Sequence, residues 1–318
     1  MGSTNQGVAI CAAHPPRLLS KSFHDDRLEG SPRVTPDPMT IRFWGVRGSV
    51  PTPGPGTVRY GGNTLCVELR CGPHLLILDA GSGLRELGNA LVASGQKVEA
   101  DFLLSHTHFD HICGLPFFQA LFDPSARLRF WGGHLTPPDG IEQAVLASLR
   151  EPFMPSLDIA AKADMTFHDF VAGDDLPLHP GLSIKTAALV HPGNAIGYRI
   201  AWGGSSVCYI TDTEHPAEGL DTDLLRFVEG TDVLIYDASY TEDEYKTRVG
   251  WGHSTWQMAV ALAMEAKVGQ LVLFHHDPDH DDDTMDAICR AAAERFPGTL
   301  VSREGMRLEL PVKPQAAG

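Results

Sequence analysis

Four residues that can ligate a metal fall within six consecutive positions of Ser105-His106-Thr107-His108-Phe109-Asp110-His111. They follow Ala100-Asp101-Phe102-Leu103-Leu104, a largely apolar run of the kind that forms a buried strand opening into a loop. Groups at the end of a rigid strand are held in place. His106 and His108 lie two apart, so an extended backbone points both imidazoles to one side. Asp110 and His111 come where the chain turns, ahead of Gly114-Leu115-Pro116. Three imidazoles and a carboxylate suit a borderline-soft divalent cation such as zinc.

Three further ligand types stand at the ends of apolar or alternating runs: His191, Asp212 and His275. With His106, His108, Asp110 and His111 they make seven ligands, too many for one tetrahedral zinc and a suitable number for two. Two metals ~3.5–4 Å apart can share a bridging carboxylate. His276 is the neighbouring alternative for the last position, but His275 directly continues the run Leu271-Val272-Leu273-Phe274.

The elements that must carry these groups can be read from the pattern. Strands are expected from Ile41, over Leu65–Leu69, Leu75–Asp79, Ala100–Leu104, Leu182–Thr186, Val233–Asp237 and Leu271–His275. Gly197–Ile200 and Ser206–Asp212 form a hairpin across Gly203-Gly204. Helices are expected from Leu84 to about Ala93, Ile141 to Leu149, Thr255 to Ala266 and about Thr284 to Phe296, and a short strand near Met306 to Leu310. Gly45 to Pro53 reads as a loop by its Gly and Pro content, and Ala80-Gly81-Ser82-Gly83 as a tight strand-to-helix turn rather than a phosphate cradle. Gly133 to Gly181 reads as an insertion beside the site, and Asp281, Asp282 and Asp283 as acidic residues favoured at a helix N-terminus.

Bulk properties fit a soluble globular protein: 318 residues, 43% apolar and 20% charged. Residues 1–38 contain prolines and no strand-like run, and read as a flexible extension ahead of a folded domain over 39–318. No apolar run approaches the ~20 residues of a membrane span, and a cytoplasmic location follows as the default. Six cysteines without a C-x-x-C pair argue against a zinc ribbon or disulfide framework, although Cys113 is close enough to the histidine loop to line the site. A net charge of −15 disfavours long nucleic acids, whose binding relies on Lys and Arg.

The order and spacing of His106-x-His108-x-Asp110-His111, His191, Asp212 and His275 closely resemble the metallo-β-lactamase superfamily over residues 40 to 310. The resemblance implies a four-layer αβ/βα sandwich of mixed α/β class, with two metals at the edge of two facing sheets. It places His106, His108 and His191 on one metal, Asp110, His111 and His275 on the other, and Asp212 between them. Within the superfamily the chain looks most like the phosphodiesterase branch, which includes ribonuclease Z and metal-dependent cyclic-nucleotide phosphodiesterases. Asp237-Ala238-Ser239 resembles that branch's acidic element after a strand, and Gly252-His253-Ser254-Thr255 its His-Ser-Thr element at a helix start. If Asp237 orients His253, the imidazolium can protonate a leaving alkoxide opposite the metals. Ser254 or Thr255 can cap the helix at the same time.

The chemistry expected is attack of metal-bridging hydroxide on phosphorus, with Asp110 positioning the nucleophile and His253 assisting the leaving group. The metals are expected to be zinc, with manganese or iron also compatible. Trp251 could stack on a base, Asn63 is a further candidate substrate contact, and Arg47 and Arg59 are candidate phosphate contacts. The long arm with which ribonuclease Z holds transfer RNA is not evident as a Gly-rich, basic insertion, so a small diester, foremost a 3′,5′-cyclic nucleotide, is the expected substrate. A ribonuclease Z-like endonuclease, a β-lactamase, a thioester hydrolase and a metal-stabilised binding module without turnover are the alternatives. The most familiar β-lactamase subclass has cysteine at the position of Asp212, and this chain does not. The resemblance also suggests a homodimer in which the insertion helps build the neighbour's pocket.

Overall fold

In the computed structural model, residues 37–135 and 140–313 are described. The expected extension over 1–38 therefore lies outside the described residues except for its last two positions. From Pro36 onward the chain forms one unit.

Apolar strands with both faces covered need helices on their outer sides, and that requirement shapes the architecture. The first sheet contains β1 (Met39–Gly45), β2 (Cys66–Cys71), β3 (His74–Leu78), β4 (Glu99–Leu104), β5 (Arg127–Gly132) and β6 (Asp164–Asp169). The second contains β7 (Ser183–Leu189), β8 (Ala195–Trp202), β9 (Ser205–Ile210), β10 (Val233–Asp237), β11 (Gln270–Phe274) and β12 (Thr299–Val301). A final strand, β13 (Arg307–Leu310), returns to the first sheet beside β1. The strand orders are β13-β1-β2-β3-β4-β5-β6 and β12-β11-β10-β9-β8-β7. Strands β3 to β6 run parallel, as do β9 to β12.

The helices are α1 (Leu84–Ala93), α2 (Phe109–Ile112), α3 (Ile141–Ser148), α4 (Leu157–Ala160), α5 (Thr222–Val228), α6 (Glu242–Tyr245), α7 (Trp256–Glu265) and α8 (Asp282–Arg295). The period-2 alternation of β3 separates two cores. Leu76 and Leu78 face the second sheet, whereas Leu75 and Ile77 pack with Leu84, Leu87 and Leu91 of α1. In β10, Val233 and Ile235 likewise join the middle core, while Leu234 and Tyr236 pack with Ala259, Leu262 and Ala263 of α7. Each such fully buried aliphatic side chain contributes about 1.5–3 kcal/mol. The result is the expected four-layer αβ/βα sandwich.

Two strands differ from the sequence expectation. The stretch read as an insertion supplies β6, which extends the first sheet by pairing with β5 along Arg127↔Asp164 to Gly132↔Asp169. Strand β5, absent from the sequence expectation, alternates buried Leu128, Phe130 and Gly132 with exposed Arg127 and half-buried Arg129 and Trp131. In the acidic run, Asp281 caps α8 by accepting from Thr284 N at 2.8 Å. Asp282 and Asp283 lie in its first turn as expected, and Asp282 also accepts from the backbone N–H groups of Arg59 and Tyr60 and so ties the first loop to α8.

Candidate metal centre

The C-terminal ends of β3, β4, β7, β9, β10 and β11 open at one edge of the sandwich, and each delivers a polar side chain there. Three of those residues turn sharply out of their strands with left-handed backbones: Asp79 (φ 57°), Asp212 (φ 54°) and His275 (φ 61°). Such conformations are costly for non-glycine residues and cluster where geometry is imposed for function.

All seven expected ligands meet. His108 is extended and His106 Nε2 lies 2.8 Å from His108 Nδ1, with His191 Nε2 at 3.1 Å from the same atom. His111 Nε2 is 3.3 Å from both Asp110 Oδ2 and Asp212 Oδ2. His275 Nε2 is 3.2 Å from Asp212 Oδ1 and 3.5 Å from Asp110 Oδ2. Asp212 Oδ1 also stands 3.9 Å from His106 Nε2 and from His191 Nε2. Asp212 therefore sits between two groups of ligand atoms, His106/His108/His191 and Asp110/His111/His275.

These atoms fit metal ions better than they fit one another. His111 Nε2 and His275 Nε2 are buried and make no hydrogen bond, despite carboxylate oxygens at 3.2–3.5 Å. A buried donor or acceptor without a partner costs about 1–3 kcal/mol, and a divalent cation removes that cost for both. The electrostatics agree. Burial pushes the Asp110 and Asp212 carboxyls up, but the His111 and His275 imidazoles outweigh it and hold both well below the usual carboxylate range. Burial lowers His111 and His275, yet Asp110 and Asp212 raise them above the ordinary histidine value, a sign of concentrated negative charge seeking cations. His106, His108 and His191 are pushed down, mainly by burial, and neutral imidazole is the form that ligates.

The outer atoms of the ligand rings are also fixed. Asp79, fully buried, meets His111 Nδ1 at 2.9 Å and accepts from Ser105 N, Ser105 Oγ and Tyr209 Oη. Ser239 Oγ donates to Asp237 at 2.7 Å and lies 2.8 Å from His275 Nδ1. His191 Nδ1 donates to the Gly252 carbonyl at 2.8 Å. Each contact leaves Nε2 directed at the site, the arrangement that commonly orients metal-binding histidines. Asp79 was missed in the sequence; a carboxylate ending a buried strand, as in Leu78-Asp79, was its signal. Gly48 is required by space, because a Cβ there would stand 2.1 Å from His275 Cε1. Its neighbour Ser49 donates its N–H to Asp110 Oδ2 at 2.8 Å.

His253 lies beside the cluster, its ring 4.6 Å from that of His275 and 5.2 Å from that of His191. Its Nδ1 is 2.9 Å from Asp237 Oδ2, so the expected pair is brought together. Burial raises the Asp237 carboxyl, but His253 and His275 prevail and keep it ionised. Thr255 caps α7 through Met258 N at the same time, so the capping and pairing roles coexist two residues apart.

Other sequence candidates are placed elsewhere. His276 points away, with Nε2 at 2.8 Å from the Ser302 carbonyl and its pKa pushed down to about 3 by burial. Arg47 is not a free phosphate contact: it is fully buried and donates to the carbonyls of Gly61, Asp277 and His280, a strut between loops. Arg59 pairs with Asp283 and Asp286 of α8. Both ends of the Asn63 amide are engaged, by Ser82 Oγ and Glu304. Cys113, by contrast, stays beside the ligand loop: it contacts Thr64 Oγ1 and, with Thr107, Phe109, Phe117 and Phe153, lines an apolar cavity of about 590 Å³. Trp251 is 60% exposed on the turn just before His253.

Comparison with known proteins bears on this geometry. The family described as Beta-lactamase superfamily domain matches residues 74–276. The chain belongs to that superfamily. It is a metal-dependent hydrolase of the metallo-β-lactamase fold. It is 24% identical over 311 residues to the ribonuclease Z of Picrophilus torridus, covering 86% of this chain and 96% of that protein. It spans half or less of three other ribonuclease Z sequences that it matches. Among solved structures it resembles the metallo-β-lactamase fold protein YhfI from Bacillus subtilis, with a TM-score of 0.66 and 23% identity over 86% of this chain and 100% of that one. A diphosphatase from the PhnP family shares the fold with a TM-score of 0.62 and 20% identity, over 86% of this chain and 98% of that one. Among the described residues, no helix is long and apolar enough to cross a membrane.

Proposed function

We propose that this hydrolase is a phosphodiesterase that cleaves small phosphodiesters, foremost 3′,5′-cyclic nucleotides, with two divalent metals. The observation that carries the reading is the Asp237-held imidazole of His253, stacked against the ligand His275 at the mouth of the centre. A phosphodiester leaves as a strongly basic alkoxide and needs a proton. A thiolate leaves without one, so a thioester hydrolase would have no use for the pair.

His106, His108 and His191 would hold one metal, Asp110, His111 and His275 the other, and Asp212 both. Divalent metals bound there supply charge neutralisation at the phosphoryl oxygens and a nucleophile from water at neutral pH. Zinc suits the nitrogen-rich set, and manganese or iron are compatible. Asp110, fixed by Ser49 N, orients the attacking water. Asp237 accepts from His253 Nδ1–H, and the imidazolium, protonated at both nitrogens, gives its Nε2 proton to the departing oxygen and is left neutral. Trp251, exposed beside His253, offers a face on which a base can stack. The formal charge of −15 favours a small substrate over a long nucleic acid. A homodimer working in the cytoplasm completes the reading, in keeping with the reduced thiols of Cys66, Cys71, Cys113 and Cys208.

The near full-length similarity to a ribonuclease Z supports a second reading, a ribonuclease Z-like RNA endonuclease. One assay set separates the two. Zinc-loaded protein is offered cyclic AMP, cyclic GMP, bis(p-nitrophenyl) phosphate, a precursor transfer RNA and a chromogenic cephalosporin. Cyclic-nucleotide turnover that disappears in His253→Ala is the expected result. Efficient RNA cleavage without cyclic-nucleotide turnover favours the second reading, and turnover of the cephalosporin alone overturns both.

A further inference from the structure

We propose that Glu214 is a positioning residue that sets the orientation of His191 and His253 together through the backbone of Gly252, whose N–H and carbonyl belong to two successive peptide groups. The proposal rests on the phosphodiesterase reading for its kinetic arm alone.

Glu214 lies two residues beyond Asp212, and its own N–H donates to the carbonyl of Val190, the residue before His191. Its carboxylate reaches across to the turn that precedes α7. Oε1 accepts from Gly250 N at 2.7 Å and Tyr245 Oη at 2.9 Å, and Oε2 accepts from Gly252 N at 2.8 Å. Trp251 N closes that turn on the Arg248 carbonyl. One carboxylate thus clamps the turn from behind.

Gly252 is held from both sides. Its N–H is given to Glu214, and its carbonyl accepts from His191 Nδ1. Its backbone is left-handed (φ 84°), and a Cβ there would stand 2.4 Å from His191 Nδ1, so glycine alone permits the approach. The contact fixes the Nδ1–H tautomer of His191 and frees Nε2 as a ligand. The next residue is His253. Rotation of the peptide between Gly252 and His253 would therefore disturb ligand and acid at once, and Glu214 opposes it by fixing the preceding peptide through Gly252 N.

The test compares metal-loaded wild-type protein with Glu214→Ala on two diesters. Cyclic AMP has an alkoxide leaving group and depends on the acid; bis(p-nitrophenyl) phosphate releases a stable phenolate and does not. Glu214→Ala is expected to lower kcat for cyclic AMP about 10–100-fold, the range seen when an outer-sphere partner is lost. Phenolate release should fall by clearly less, because it depends on His191 through the metals but gains little from the acid. Imidazole ¹⁵N resonances of histidine-labelled, zinc-loaded protein give a readout without substrate, in which His191 and His253 are both expected to shift. Equal loss on both diesters, or unchanged His191 and His253 resonances, overturns the proposal. If the alanine variant does not fold, Glu214→Gln keeps one acceptor oxygen and is judged by the same comparison. If wild-type protein cleaves neither diester, the phosphodiesterase reading fails and the resonances alone decide.

Discussion

Asp79 Oδ2 lies 2.9 Å from His111 Nδ1, and both side chains are fully buried. The same carboxylate gathers Ser105 N, Ser105 Oγ and Tyr209 Oη, so one residue at the end of β3 braces the start of the ligand loop, a ligand ring and the second sheet. Asp79→Asn loses an acceptor but keeps the volume. It is expected to weaken zinc binding by about 10–100-fold, as loss of an outer-sphere partner does elsewhere. Competition with a chromogenic chelator measures this directly. Unchanged affinity would show that His111 needs no such brace.

His253 should matter in proportion to the basicity of the leaving group. His253→Ala is expected to reduce kcat for a cyclic nucleotide by about 10²–10⁴-fold, the usual contribution of a general acid. A phenolate-releasing diester should lose far less. Because Asp237 Oδ2 holds His253 Nδ1 at 2.9 Å, Asp237→Asn should reproduce most of the effect. A uniform loss across leaving groups would assign the pair to substrate binding instead.

The ligand set was legible because four ligands cluster in the short loop and helix after the apolar strand β4, and His191, Asp212 and His275 each follow a strand readable from its apolar or alternating pattern. The roles of Asp79 and Glu214 were hidden: a carboxylate at or just beyond a strand end marks a position but not its partners, which are distant in the chain, Tyr209 for Asp79 and Gly250 and Gly252 for Glu214. Arg47 misled for the complementary reason. A basic residue in a Gly-rich loop looks available to phosphate, yet tertiary packing surrounds it with the carbonyls of Gly61, Asp277 and His280. Strand β6 was obscured by its weak alternation, Asp164-Met165-Thr166-Phe167-His168-Asp169, at a sheet edge where one side of the backbone has no strand partner.

Away from the metal centre, Asp101 ties three residues together. It accepts from Arg129 Nε at 2.6 Å, Arg129 Nη2 at 2.7 Å and Trp131 Nε1 at 3.1 Å, and lies 2.7 Å from His179 Nε2. Burial pushes its carboxyl up, but Arg129 and His179 prevail and hold it below the usual range. The folded-state pKa is thus depressed, so the stabilisation is present above the unfolded value near ~4 and is lost as pH falls through the folded value. Asp101→Asn should cost about 2–3 kcal/mol at pH 7, the scale of hydrogen bonds to a charged group. In urea unfolding below pH 4 the gap between wild type and variant should narrow; a gap that stays constant would show that the charge contributes nothing.

Metal removal tests the centre without any substrate. Asp110, Asp212, His111 and His275 are buried together, and two of their nitrogens have no hydrogen-bond partner. A ligand that binds only the folded state stabilises it by about 3–4 kcal/mol at 100–1,000 times its Kd. For a domain of this size that corresponds to a fall in Tm of about 5–15 °C on treatment with a strong chelator. Zinc should restore the loss and magnesium should not, because the donor set is rich in imidazole nitrogen and magnesium prefers oxygen. Asp212→Ala should weaken the response at both groups of ligands, since that carboxylate stands between them. Zinc analysis of the wild type and of Asp212→Ala then separates two ions from one. A Tm indifferent to chelation in fully stripped protein would mean that the folded state closes around these residues without a cation.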